Sequence, residues 1–166
     1  MTYSRFEDLP VWQEAIRLAE DVYDMTESKG WAGSHSLRDQ LERAALSVSN
    51  NIAEGFERGT TNELLSFLYI ARGSAGEVRS MLYFLELRKG FANLKSQISN
   101  LKSIAESCSR QLRAWADHLQ NSDIQGQRRL NEKTRSQYRS KKDAEEFQKE
   151  LEKSLPPNHP LLKGKQ

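Results

Sequence analysis

Apolar residues recur along this chain at the three–four spacing of amphipathic helices, in four long blocks. Trp12, Ala15, Ile16, Ala19, Val22 and Tyr23 form the first stripe and predict a helix over about 10–28. Asp8 stands where a cap would, and Pro10 falls in the first turn, where its missing N–H does little harm. Leu37, Leu41, Ala44, Ala45, Val48, Ile52 and Phe56 predict a second helix over about 36–58, opened by Ser36 with Asp39 three residues on. The third, about 61–88, follows a better capping box, Thr60 with Glu63, and its stripe runs through Leu64, Leu68, Ala71, Ala75, Val78 and Leu85. Gly90 reads as a stop, and Leu94, Ile98, Leu101, Ala105, Cys108, Leu112, Trp115 and Leu119 mark a fourth helix over about 91–119. No segment keeps a period of two. Long helices on short connections must pack antiparallel, so the expected fold is all-α, an up-down-up-down four-helix bundle.

After Leu119 the pattern breaks, dividing the chain into a bundle over 1–120 and a basic C-terminal extension over 121–166. Asn121-Ser122-Asp123 and Gly126 read as a linker. Residues 128–142 hold seven basic residues and one acidic. Asp143–Ser154 has the pattern of a short helix with Phe147 and Leu151 on one side, and the last twelve residues are expected to be extended or disordered. Charge follows the same division. The first 120 residues carry 14 Lys and Arg against 16 Asp and Glu, whereas the last 46 carry 11 against 7. The chain's net +2 therefore hides a basic tail on a slightly acidic bundle.

The single cysteine, Cys108, permits no intramolecular disulfide and lies on an apolar stripe, as a small core residue does. This fits a reducing compartment, and with no apolar leader and no run near the ~20 residues of a membrane span, the expectation is a cytoplasmic protein without a membrane partner.

The second helix carries another regular stripe, Gln40, Arg43, Ser47, Asn50 and Glu54. A merely solvated face has no need of Ser and Asn in mid-helix, where both are poor helix formers. Such residues want specific partners, either a ligand or a structural network. The structural reading is preferred: Arg43 and Arg72 with Glu54 and Glu77, bridged by Gln40, Asn50 and Asn51. In the third helix Gly73 and Gly76 each cost about 1 kcal/mol relative to Ala, which suggests that another backbone approaches there.

Catalytic chemistry finds no foothold. His35, His118 and His159 are scattered and none belongs to an E-x-x-H pair; Cys108 has no neighbouring cysteine; and no P-loop, dinucleotide fingerprint or G-x-S-x-G is present. The expectation is a non-enzyme with no cofactor and no metal.

Certain landmarks are more specific. Phe6-Glu7-Asp8-Leu9-Pro10-Val11-Trp12, Gln40-Leu41-Glu42-Arg43-Ala44-Ala45, Ser47 through Phe56, and Phe67 through Ser74 with Glu77 occur in that order. Together they resemble the bacterial four-helix bundle family called 23S rRNA intervening-sequence proteins. The resemblance implies a ring-shaped homopentamer without enzymatic activity. It also implies similarity in fold to the accessory variability proteins of diversity-generating retroelements, which bind nucleic acid and a reverse transcriptase. Two departures stand out: Ser49 replaces the usual small residue or Pro before Asn50, and the tail has no counterpart in short members of the family.

The expected function is that of a non-catalytic, oligomeric nucleic-acid-binding accessory protein, with structured RNA preferred over DNA. Arg128, Arg129, Lys133, Arg135, Arg139, Lys141 and Lys142 are the expected phosphate contacts, and Tyr138 offers a ring for base stacking. The alternatives are an accessory protein that binds a reverse transcriptase and its template RNA, and a structural oligomer without nucleic-acid binding.

Overall fold

The computed structural model describes residues 3–121 and 132–154. A 3₁₀ turn (Phe6–Asp8) leads into α1 (Pro10–Glu27), α2 (His35–Glu57) and α3 (Thr61–Leu87); a second 3₁₀ segment (Lys89–Leu94) leads into α4 (Lys95–Gln120). A further helix, α5 (Glu132–Ser154), belongs to a second compact unit, Arg129–Gln166, and the other helices belong to the first, Met1–Arg128. Among the described residues there is no strand. Within the bundle α1 packs on α2 and α4, and α3 packs on α2 and α4, so the helices form a square in chain order.

One core runs the length of this square. Leu18, Val22, Leu41, Ile52, Leu64, Leu68, Leu82, Leu85, Ile98, Leu101 and Leu112 are fully buried. Apart from Leu18, which takes a core position on α1 while the predicted Ile16 and Tyr23 are only half-buried, they are residues of the predicted apolar stripes, and their burial, at about 1.5–3 kcal/mol per large side chain, is the main source of stability.

Helix starts follow local chemistry. Thr60 caps α3, accepting from the Glu63 N–H at 3.3 Å and donating its hydroxyl to the Glu63 carboxylate at 2.8 Å. Two other caps differ from expectation. The N-cap of α2 is Ser34, which accepts from the Leu37 N–H at 3.3 Å, so the helix begins at His35 and Ser36 lies inside it. The N-cap of α1 is Leu9, with no side-chain cap, because the Phe6–Asp8 turn draws Asp8 away from the capping position and Pro10 needs no donor satisfied. The fourth helix starts later than Gly90 suggests. Lys89–Leu94 winds as 3₁₀, with Phe91 at φ −107 and ψ 15, which turns the Phe91 ring onto Trp31 at 5.1 Å.

Gly55 sits where α2 approaches α3 closely. A Cβ there would lie 2.6 Å from Phe67 Cβ on α3. Gly73 and Gly76, by contrast, have nothing within 4 Å of an added Cβ. No backbone of the bundle approaches them, and that expectation is corrected: the glycine that admits a neighbouring helix in this chain is Gly55.

Candidate nucleic-acid interface

The polar stripe of α2 divides between the interior and solvent. Ser47 and Ser74 share a hydrogen bond of 2.9 Å between α2 and α3. Asn51 Nδ2 donates to the Ser47 carbonyl at 2.7 Å and to its hydroxyl at 3.0 Å, and Gln40 Nε2 donates to Glu77 at 3.3 Å. The expected links through Arg43, Asn50, Glu54 and Arg72 do not form. Arg43 pairs with Asp39 one turn back at 3.2 Å, and Glu54 pairs with Arg58 one turn on at 2.5 Å. Asn50 is exposed, and Arg72, half-buried, has no ion pair among the described residues. The reason is geometric: partners at i and i+4 lie within reach on the same helix, whereas Arg43 and Glu54 are three turns apart.

Other buried polar groups act as struts. Glu14 on α1 accepts from Ser107 at 3.0 Å and from Gln111 on α4. Thr26 donates to Glu42, which also takes Arg38 Nε at 2.7 Å. Cys108 beside this Glu14 site is wholly buried, and burial, with Glu14 adding to it, pushes its thiol up to about 12. A thiol held neutral in this way is no nucleophile at neutral pH.

The bundle's charge is uneven. Residues 10–58, spanning α1 and α2, hold five basic and nine acidic side chains, and residues 61–120, spanning α3 and α4, hold eight and five. Four of the eight cations of the second half pair with carboxylates, among them Arg79, 3.8 Å from Glu106. Lys102 meets Glu86 at 2.6 Å, Arg110 meets Glu106 at 3.3 Å, and Arg113 meets Asp117 at 3.6 Å. Lys89 and Lys95, exposed around the 3₁₀ segment, have no ion pair among the described residues.

The basic run of the tail is more concentrated. Lys133, Arg135, Tyr138, Arg139, Lys141 and Lys142 lie along α5, which begins at Glu132, well before the predicted Asp143. The helix accommodates them because Lys and Arg are good helix formers and no Gly or Pro falls between 132 and 154. Arg128 and Arg129, and the terminal segment expected to be extended, lie outside the described residues.

A further feature escaped the stripe analysis. α3 is apolar on two faces. Tyr69, Ile70, Tyr83, Phe84 and Leu87 are 44%, 51%, 51%, 50% and 84% exposed, on the side away from the core. The signal is present in the sequence as a second three–four repeat, Tyr69, Gly73, Gly76, Ser80, Tyr83 and Leu87, offset from the core stripe.

This architecture has relatives. The family model of the 23S rRNA-intervening sequence protein matches residues 7–114. The chain belongs to that family. Membership covers the bundle and stops short of the tail. A crystal structure of a protein of unknown function from the S23 ribosomal protein family of Bacteroides thetaiotaomicron has the same fold, with a TM-score of 0.57 at 15% identity. The match spans 64% of this chain and 97% of that one. Comparison with curated proteins finds no match. Among the described residues of this family member, no helix is long and apolar enough to cross a membrane.

Proposed function

We propose that this intervening-sequence family member is a non-catalytic, homo-oligomeric accessory protein that binds nucleic acid, with structured RNA as its ligand. The observation that carries the reading is the basic run: seven cations against one carboxylate over residues 128–142, five of those cations on α5. A family whose description ties it to an insertion in ribosomal RNA supports RNA over DNA. Each phosphate contact releases a counterion, and repetition of the tail around an assembly raises the effective concentration of every further contact. A ring of five chains is the assembly that the family resemblance implies, and the cytoplasm is its expected compartment.

Binding of a fluorescent structured RNA by the full chain, measured across a salt series, tests this. Steeply salt-dependent binding is expected, and replacing Arg135, Arg139, Lys141 and Lys142 by Gln should weaken it and flatten the salt dependence. Unchanged affinity and slope in that variant would show that the tail is not the binding element.

A further inference from the structure

We propose that the outer face of α3 is a docking surface for α3 of a second copy, packed antiparallel about a two-fold axis near Gly73 and Gly76. This rests on the homo-oligomeric part of the function proposed above and names the surface that serves it.

Position by position, the outer face has the repeat of a coiled-coil seam. Ser66, Gly73, Ser80 and Leu87 recur every seven residues, and Asn62, Tyr69, Gly76 and Tyr83 recur every seven between them. All eight are exposed, and none is Lys or Arg. The opposite face, from Leu64 to Leu85, is the bundle core. A helix apolar on both sides is normally buried on both.

What selects a second copy as the occupant is the order of sizes. In an antiparallel pair the two sets of seam positions meet each other, which places Tyr69 against Ser80 of the second copy and Tyr83 against its Ser66. Leu87 meets Asn62, and Gly73 meets Gly76. The tyrosines fall on serines and Leu87 on the shorter Asn62, and the glycines meet each other at the middle of a helix that runs from Thr61 to Leu87. A parallel pair would instead set Tyr on Tyr. Nothing in the bundle lies within 4 Å of a Cβ added at Gly73 or Gly76, so the space they leave is open only from outside.

The flanking charges agree on the α2 side. On the α2 side Glu77 falls beside Ile70 of the second copy and Glu63 beside its Phe84, so carboxylates do not face each other. Phe84 carries the Arg88 guanidinium 5.8 Å from its ring centre, which supplies a cation near that Glu63. On the α4 side Arg72, which has no ion pair among the described residues, falls beside Arg79 of the second copy, a like-charge contact that Glu106, 3.8 Å from Arg79, offsets for Arg79 alone. The area also suffices. Five large side chains, half exposed or nearly so at the least, offer on the order of 500 Å² per chain, or about 1,000 Å² per pair before the flanks are added. Such a contact is isologous, so it pairs chains and closes on itself. The outer surfaces of α1 and α2 remain for a ring contact, and a ring of five would then be doubled to ten.

Light scattering on the full chain without RNA tests the seam. Gly76→Leu should keep the helical circular dichroism, since the monomer has room for the side chain, and should halve the assembly's mass. In the double variant Tyr69→Cys/Ser80→Cys, oxidation should join two chains, whereas either single variant should not; native Cys108 is buried and stays silent. Gly76→Leu at the wild-type mass, cross-linking by Tyr69→Cys alone, or an undoubled assembly of five would each overturn the two-fold seam while leaving self-association intact. A monomeric wild type would overturn both. Should Gly76→Leu fail to fold, the cysteine pair still decides the point, and RNA binding measured alongside reports on the tail independently.

Discussion

Ser47 on α2 and Ser74 on α3 place their hydroxyls 2.9 Å apart in a largely apolar interface, and each has a further partner on its own helix. Ser74 donates to the Ile70 carbonyl at 3.1 Å, and the Ser47 hydroxyl accepts from Asn51 at 3.0 Å. Hydroxyls bonded in this way, together with Gln40 and Glu77, fix the axial register of two helices whose other contacts are mainly apolar. Ser74→Ala should cost about 1 kcal/mol in chemical denaturation, and the Ser47→Ala/Ser74→Ala double variant should cost less than the sum of the singles. Additive losses would show that the two hydroxyls do not interact in solution.

Two glycine classes should respond with opposite signs. Gly55→Ala would bring a Cβ to 2.6 Å from Phe67 Cβ and 3.2 Å from Leu64 Cδ1, and should destabilise the bundle by about 1–3 kcal/mol as an overpacking change. Gly76→Ala meets nothing within 4 Å and should stabilise the dilute, dissociated chain by up to about 1 kcal/mol through helix propensity. Thermal melts of the two variants at low protein concentration provide the comparison.

Burial of Cys108 predicts a specific pH dependence. Its thiol is pushed up to about 12 from 9.0, so between those values the unfolded chain loses a proton that the folded chain keeps. Stability should therefore fall as pH rises through this window, by up to about 1.4 kcal/mol per pH unit from this group. The difference between the wild type and Cys108→Ala isolates the effect, because other groups titrate alike in both. A thiol reagent at pH 8 should label the native chain only after denaturant is added.

The tail prediction is quantitative in salt. Each phosphate contact removed from the run between Lys133 and Lys142 should reduce the slope of log affinity against log salt by about 0.7–0.9. Single Gln substitutions read by fluorescence anisotropy would therefore separate true contacts from bystanders, which leave the slope alone.

Much of the bundle is legible in the chain because burial writes itself as periodicity. Leu64, Leu68, Ala71, Ala75, Val78 and Leu85 share one face at 3.6 residues per turn, and any helix carrying them must cover that face. Thr60 with Glu63 was equally readable, since a capping box is satisfied within four residues. Partner choice among polar side chains was not. Arg43 reached Asp39 and Glu54 reached Arg58, both on their own helix, and sequence spacing cannot weigh those local pairs against distant Glu77 or Arg72.

Sequence alone therefore determined the four amphipathic helices, their antiparallel order, the family landmarks and the concentration of positive charge in the tail. These are properties of one segment at a time, set by side-chain chemistry and helical repeat. Only the tertiary structure decided which glycine admits a neighbour. Gly55 and Gly76 look alike in the chain, yet one lies against Phe67 and the other faces open space, because crowding depends on residues brought together from different helices. The same packing left Tyr69, Tyr83 and Leu87 outside a core that the remaining face of α3 had already filled.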